Sequence, residues 1–275
     1  MTLEHLLQHP NALPSAPKIV EDLINSFDDP DVSVEDVARK LSLDPVLSAK
    51  LLRLANSAYY HVSRRIGNVD DAVRMLGFVT VRTLVISSGL VGGFKTVPGV
   101  DLKRFWRVSL HAAVAAKWIA RKVGVNTDLA FTIGMMHGLG QLVIHSGMAE
   151  QAQELDATLG IHDPGRNALE TSVFGFSYTD VGAELALRWK FPDIFPDTLR
   201  DIPCPLRASP VSRMAAVTNL AVWRAQAEDA RLSVVQLAET YPAEVGERVG
   251  LQPDEMLVDM PSLSELCAGL EELIQ

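Results

Sequence analysis

The stretch from Leu129 to Ala149 places the strongest constraint on how this chain folds. It contains 21 consecutive residues without Asp, Glu, Lys or Arg. A stretch of this length either spans a bilayer or is buried inside a folded protein. Four glycines, two histidines and Gln141 lie within it, and such residues suit closely packed helices better than a membrane span. The sequence therefore predicts a pair of core helices here and no membrane segment.

Apolar residues recur at helical spacing along most of the chain, whereas the alternating pattern of half-buried strands is almost absent. The sequence therefore predicts an all-α protein. Asp44 is predicted to cap the start of one helix, and Gly124 to end another. The segment 191–210 contains five of the fifteen prolines and is predicted to be largely irregular, with the next helix starting at Ser209 and Pro210.

The Gly- and Pro-rich segment 92–101 is the first clear break in the helical pattern. We predict a domain over residues 13–230, which consists of an N-terminal helical subdomain at 13–95 and a second helical bundle at 100–230. Residues 231–275 are predicted to form a C-terminal extension of three short amphipathic helices.

Composition limits the compartment and the class of partner. The formal net charge is -9, which disfavours nucleic acid as a partner for the surface as a whole. Cys204 and Cys267 are the two cysteines, and their separation predicts neither a disulfide framework nor a zinc cluster. The first residues lack the basic and then apolar layout of a signal peptide. We therefore expect a cytoplasmic protein.

Two histidines raise the question of a metal site. In a large class of phosphohydrolases, a helical His followed directly by Asp binds a catalytic metal, but His137 is followed by Gly138. His111 lies on an earlier helix, from which it can converge with His137 inside a bundle. Imidazoles alone neutralise a divalent ion poorly, and Asp180 and Glu184 are the substitute carboxylates considered. Otherwise each histidine is a buried or half-buried helix residue with a backbone or hydroxyl partner.

The segment 39–65 is basic, with a net charge of +5 from six cations and one acid. Its candidate residues for binding an anion or a partner are Lys50, Arg53, Arg64 and Arg65. Two short helices in this segment resemble a DNA-reading helix-turn-helix, although leucines occupy much of the second helix and the turn lacks a glycine. The alternatives are contact with nucleic acid or a nucleotide, and a solvated basic face on a helical bundle.

Six motifs in order along the chain carry a resemblance to a known family. The motifs are LPSAPKIVEDL, DPVLSAKLLRLANSAYY, IGNVDDAVRMLGFVTVRTLV, FWRVSLHAAVAAKWIA, AFTIGMMHGLGQLVI and FGFSYTDVGAELALRWKFP. Together, over about residues 13 to 225, they resemble the HDOD family, the HD-related output domain of bacterial signalling proteins. The resemblance implies a multi-helix bundle related to the HD phosphohydrolase fold, with an N-terminal helical subdomain and a metal site that has commonly decayed.

The resemblance also implies roles for particular positions. His111 and His137 match retained positions, whereas Gly138, Tyr178 and Val222 stand where the hydrolase pattern expects ligands. We therefore expect no metal or other cofactor and no phosphohydrolase activity. The function implied is a non-catalytic regulatory module that binds a protein partner in signal transduction. The alternatives are nucleotide or nucleic-acid binding by the basic segment, and residual metal-dependent phosphohydrolase activity.

Overall fold

The structure, a computed structural model, describes residues 2–8, 18–25, 34–60, 62 and 65–274. All regular elements in these ranges are helical, which confirms the predicted all-α class. The α-helices are α1 (Leu3–Leu7), α2 (Lys18–Asn25), α3 (Val34–Ser42), α4 (Pro45–Ala55), α5 (Val69–Leu76), α6 (Phe78–Gly93), α7 (Leu102–Val123), α8 (Thr127–Met136), α9 (Leu139–Gly147), α10 (Ala149–Asp156), α11 (Arg166–Phe174), α12 (Tyr178–Arg188), α13 (Ile194–Asp201), α14 (Arg213–Asp229), α15 (Val234–Thr240), α16 (Ala243–Val249) and α17 (Leu263–Cys267). A π-helix covers Glu255–Asp259 and a 3-10 helix covers Glu271–Ile274.

Two predicted helix boundaries are confirmed. α4 begins after Asp44, whose Oδ1 atom accepts hydrogen bonds of 3.0 Å from the backbone N–H groups of Val46 and Leu47. This carboxylate satisfies two of the N–H groups that a helix leaves unpaired at its start. α7 ends at Gly124, which has a left-handed φ of 72°, a conformation that glycine adopts with little steric cost.

The segment 191–210 is more regular than predicted. It contains the eight-residue helix α13, with Pro196 in its first turn. Proline is tolerated at that position because the first N–H groups of a helix have no partner within the helix. Most of the segment is irregular, as predicted, but the prediction missed α13 because the number of prolines matters less than the position of each proline in a helix.

α14 begins three residues later than predicted. Its first residue is Arg213 rather than Pro210. The Ser212 hydroxyl accepts a hydrogen bond of 3.2 Å from the N–H group of Ala215, so Ser212 is the N-cap. Ser209 and Ser212 are both suitable caps by residue type, and the sequence alone did not distinguish them.

α7 lies at the centre of the bundle. α8 and α14 pack along it, and all five side chains of Ala112–Ala116 are buried. α8 approaches so closely that a Cβ atom at Gly134 would lie 2.6 Å from the Cα atom of Ala113. The uncharged stretch forms α8 and α9, in which every residue from Ala130 to His145 is buried. The predicted pair of packed core helices is therefore confirmed.

α9 crosses α12 at an equally short distance. A Cβ atom at Gly140 would overlap the carbonyl oxygen of Tyr178 and would lie 3.0 Å from the backbone nitrogen of Gly182. The two helices therefore touch through their backbones, which only glycine permits at this crossing. The contact fixes Tyr178, one of the expected ligand positions, relative to the end of α8.

The C-terminal residues pack against both predicted parts of the domain. Residues 231–275 contain α15, α16 and α17, the three short helices predicted there, together with the π-helix and the 3-10 helix. The 3-10 helix contacts α4, α6 and α7, and Leu270 and Leu273 are buried at this junction. Because this core is shared between the two parts, it does not mark where one part ends and the next begins. The boundaries at 13–95 and 100–230 stay a prediction.

No single helix among the described residues is long and apolar enough to cross a membrane. α5 and α6 reach the required length and composition only when taken together, and they are bent by 118° relative to each other.

We predict that Gly140→Ala destabilises the protein by about 1 to 3 kcal/mol or more, because the added methyl group meets immovable backbone rather than a flexible side chain. Urea unfolding followed by circular dichroism measures the change. Gly92→Ala is the matched control, since Gly92 also lies in a helix and a Cβ atom there meets nothing within 4 Å. The control is expected to be neutral or to stabilise the helix by up to about 1 kcal/mol, and equal losses in both variants would contradict the proposed backbone contact.

Candidate functional site

His137 lies at the junction between α8 and α9. Its side chain is almost fully buried, and its Nδ1 atom is 2.7 Å from the carbonyl oxygen of Gly134. Burial lowers the pKa of His137 below its usual value, and the hydrogen bond to Gly134 only partly opposes this effect. The ring is therefore neutral at pH 7. His137 is a buried helix histidine with a backbone partner, one of the two interpretations that the sequence left open.

Phe105 fills the space beside Gly138. A Cβ atom at position 138 would lie 3.1 and 3.2 Å from the Cε2 and Cζ atoms of the Phe105 ring. This ring is 2% exposed and packs edge-to-face against Trp106, with 5.1 Å between ring centroids. A side chain at position 138 would therefore require this buried ring to shift by a few tenths of an ångström. An apolar ring thus packs directly against the position where the HD pattern expects a metal ligand.

His111 faces a different environment from His137. It lines a cavity of about 320 Å³ together with Lys103, Arg107 and, from the C-terminal helices, Cys267 and Glu271. Burial lowers the pKa of His111, and nearby Arg107 lowers it further. Helix order permits His111 and His137 to converge. Within the described part of the chain, however, no hydrogen bond joins the two rings.

Tyr178 and Val222 lie on the wall of another cavity, which has a volume of about 540 Å³. The backbone N–H group of Tyr178 donates a hydrogen bond of 2.7 Å to Oε2 of Glu170. Burial raises the pKa of the Tyr178 phenol, so this side chain remains neutral. Two of the expected ligand positions are thus occupied by neutral side chains that face a cavity.

The substitute carboxylates are engaged elsewhere. Asp180 accepts hydrogen bonds from the backbone N–H group and the hydroxyl group of Ser177, at 2.8 and 2.7 Å, as the cap of α12. Glu184 lies 3.6 Å from Arg188 on the same helix. Across the described residues, no group of three or more His, Cys, Asp or Glu side chains lies close enough together to hold a metal ion. These donors do not fit the metal that the HD relationship implies.

The sequence did not identify His162 as a neighbour of His137. His162 lies in the loop between α10 and α11, with its ring centroid 6.1 Å from that of Phe105. Its Nε2 atom is buried without a hydrogen-bond partner among the described residues. Burial lowers its pKa to about 4, while the carboxylate of Asp229 opposes this effect and His137 adds to it. No periodicity or spacing signals a loop residue of this kind.

A buried ionic network holds that loop and the start of α12. Arg166 is fully buried and donates hydrogen bonds from Nε to Oε1 of Glu170, at 2.8 Å, and from Nη1 to Oδ1 of Asp156, at 2.7 Å. Oε1 of Glu170 also accepts a hydrogen bond of 2.8 Å from the amide of Gln141 on α9. Through Oε2, the same carboxylate binds the N–H group of Tyr178. α9, α10, α11 and α12 therefore meet at one pair of opposite charges.

The basic segment is partly neutralised by the C-terminal helices. Nη1 of Arg53 lies 3.2 Å from Oε2 of Glu272. Burial lowers the pKa of Lys50, the charge of Arg53 lowers it further, and Glu272 opposes both effects. Arg65 is exposed and lines a cavity of about 680 Å³ with Arg53, Glu271 and Glu272, whereas Arg64 lies outside the described residues. Glu271 and Glu272 thus lie near Arg53 and Arg65, two of the residues predicted to bind an anion or a partner.

Comparison with known proteins identifies the family. A family model for the HDOD domain matches residues 13–202. The chain belongs to the HDOD family. This match confirms the family resemblance carried by the six motifs.

Two solved structures share the fold over nearly the whole chain. A chain from Shewanella amazonensis, named "Putative phosphohydrolase", is 32% identical with a TM-score of 0.79, and the match covers 98% of this HDOD protein and 96% of that chain. An HDOD domain protein with unknown function from Geobacter sulfurreducens is 27% identical with a TM-score of 0.74, covering 99% and 94%. The relation to HD phosphohydrolase folds is therefore confirmed at the level of fold.

A longer relative comes from Treponema pallidum. This uncharacterized protein is 25% identical over 218 residues, which cover 76% of the present chain and 42% of the relative. The chain thus spans about two fifths of the length of the curated relative that it matches.

We predict that Arg166→Met lowers the free energy of unfolding by about 3 to 5 kcal/mol, because Glu170 and Asp156 lose their buried counter-charge. Urea unfolding at pH 7 measures the loss. Arg200→Met is the matched control, since Arg200 forms an exposed pair with Asp197 at 3.7 Å and such pairs contribute at most about 1 kcal/mol. A loss for Arg166→Met no larger than that of the control would contradict the role of the network.

We predict that acid destabilises the protein in part through His162. Its pKa in the folded state is about 4, below the usual value of 6.5 for histidine. The unfolded chain therefore binds a proton that the folded chain does not bind as the pH falls from about 6.5 towards 4, and up to about 3 kcal/mol of stability is lost. His162→Gln is expected to reduce this loss between pH 7.5 and 5, as measured by urea unfolding at each pH. The exposed control His5→Gln is expected to follow the wild type, and an unchanged pH dependence in His162→Gln would contradict the prediction.

Proposed function

We propose that this HDOD protein is a non-catalytic, cytoplasmic regulatory module that acts by binding a protein partner in a signalling pathway. The observation that carries this proposal is the position of Phe105 against Gly138. The ring occupies the space beside the retained His137, where an HD phosphohydrolase pattern expects a carboxylate. A buried aromatic side chain at that point supports binding rather than hydrolysis as the surviving role.

The arrangement of the remaining donors supports the same proposal. A hydrolytic divalent metal needs several protein ligands, including a carboxylate that balances its charge and holds its water. His137 has its Nδ1 atom against a backbone carbonyl, and His111 lines a separate cavity. The word "phosphohydrolase" describes the Shewanella amazonensis relative only. Phosphohydrolase activity in the present chain would require metal ligands at the positions that Gly138, Tyr178 and Val222 occupy.

Exposed apolar side chains provide surfaces for a protein partner. Leu43 and Val46, in the turn between α3 and α4 and at the start of α4, are 79% and 66% exposed. Val234 and Val235 on α15 are 77% and 66% exposed, and Val258 in the neighbouring π-helix is 75% exposed. Covering such exposed apolar side chains in a complex would stabilise the complex, because it removes their contact with water.

We predict that the purified, untagged protein contains no stoichiometric transition metal and hydrolyses no phosphoester above background. The reason is the shortage of convergent ligands around His137. Elemental analysis and a phosphoesterase assay with added Mn²⁺, Fe²⁺, Ni²⁺ or Zn²⁺ test both statements.

Two variants make the metal test specific. His137→Ala removes the retained histidine, and His5→Ala removes an exposed histidine on α1. One metal ion per chain together with hydrolytic activity, both lost in His137→Ala and kept in His5→Ala, would overturn the proposal. Purification from native cell extract under mild salt tests the partner, and recovery of no protein alongside phosphoester turnover would also overturn it.

A further inference from the structure

The cavity that contains Tyr178 and Val222 has the dimensions of a ligand site. Its volume is about 540 Å³, within the range of roughly 300 to 1,000 Å³ that small-molecule pockets occupy. α14 forms one wall through Asn219, Val222 and Trp223, and the loop 202–207 forms another. Most of these walls follow the residues matched by the family model, so they are features of this chain beyond the matched region.

Arg207 supplies the charge of this cavity. It is the one Lys, Arg, Asp or Glu side chain among the lining residues. Arg207 is exposed at the mouth and forms no ion pair within the described part of the chain. A guanidinium group binds carboxylate or phosphate through two parallel hydrogen bonds. An unpaired Arg at the mouth of an otherwise uncharged cavity, in a protein with net charge -9, suits an anionic head group.

The interior suits an apolar or aromatic body with a polar edge. Val222, Leu206 and Trp223 contribute apolar surface. The Asn219 amide donates a hydrogen bond of 2.8 Å to the carbonyl oxygen of Ile202. The Gln226 amide forms no hydrogen bond with any other described residue, so both its donor and its acceptor groups remain for a ligand.

The adjoining cavity limits the number of negative charges on the ligand. It has a volume of about 380 Å³ and shares Trp223 and Gln226 with the first cavity. It also contains Asp163, Arg104 and Asp229, and Nη2 of Arg104 lies 2.7 Å from Oδ2 of Asp229. Asp229 is therefore neutralised, whereas Asp163 forms no ion pair within the described part of the chain. A second anionic group beside Asp163 would meet a like charge, so the ligand carries its charge at one end only.

We propose that the cavity at Arg207 binds a small organic anion with a flat apolar body and a single carboxylate or phosphate group. The inference rests on the proposed function, because a module that does not turn over its ligand can report the ligand to its partner by binding alone. The ligand enters the space bordered by Tyr178 and Val222, the positions at which the hydrolase pattern expects ligands.

Three probes that share one ring and differ in the head group test the proposal. Benzoate, phenyl phosphate and benzamide are titrated into the full chain at constant ionic strength, with saturation-transfer NMR and Trp fluorescence as readouts. We expect both anions to bind and benzamide to bind at least about tenfold more weakly, because it lacks the charge that Arg207 pairs with. The tighter of the two anions identifies the head group as carboxylate or phosphate.

Arginine variants assign the effect to this cavity. Arg207→Gln is expected to weaken binding of both anions by at least about tenfold and to leave benzamide unchanged. Arg200→Gln is the matched control, since Arg200 is an exposed cation on α13 that does not line the cavity, and it is expected to leave all three probes unchanged. Equal binding of benzamide, unchanged anion binding in Arg207→Gln, or no binding of any probe up to about 10 mM would each overturn the inference.

Phenol release in the same samples separates this inference from the proposed function. Phenol produced from phenyl phosphate in the presence of Mn²⁺ would overturn the non-catalytic role, whether or not Arg207 governs binding. If the wild-type protein binds neither anion and releases no phenol, the ligand site alone is overturned and the non-catalytic role stands.

Discussion

The fully buried pair of Arg166 and Glu170 is the interaction on which the geometry of the loop at His162 and of the start of α12 depends. Burying two charges is costly unless each receives several hydrogen bonds. Asp156, Gln141 and the N–H group of Tyr178 provide them here. Because these partners come from α9, α10 and α12, the pair specifies how these helices meet. The loop that carries His162 and the first turn of α12 take their positions from it.

Close contacts between small residues hold the bundle together around α7. The bundle is held by alanine and glycine contacts between α7 and α8 and by the backbone contact of Gly140 with α12. The first contacts involve no expected ligand position, and the second uses only the backbone of Tyr178. At position 138 the absence of a side chain leaves room for the Phe105 ring of α7, and this contact adds to the close packing of the core.

Much of the fold follows from local patterns in the sequence. The helical class, the cap at Asp44 and the end of α7 at Gly124 depend on nearest neighbours, and all three are confirmed. α13 was missed because a proline count ignores where in a helix each proline lies. The N-cap of α14 was misplaced because Ser209 and Ser212 have equal local preference.

The candidate site was harder to predict because it depends on contacts between distant segments. The i, i+4 spacing of Lys103, Arg107 and His111 places these side chains on one face of α7, but it does not show that the C-terminal helices line a cavity with them. His162 becomes important only through the fold of its loop, and Arg207 only through the cavity that the loop 202–207 forms with α14. The i and i+4 spacing of Arg166 and Glu170 allows an ion pair, but no local pattern shows that the pair is buried.

The position of the 3-10 helix affects the order in which the protein can be assembled during synthesis. Leu270 and Leu273 complete a core shared with α4 and α6, which are translated about 200 residues earlier, and chains generally begin to fold from the N-terminus while still on the ribosome. The apolar surfaces of α4 and α6 that Leu270 and Leu273 cover therefore stay exposed until these two residues have been synthesised. This contact joins segments far apart in sequence, so it forms late in folding.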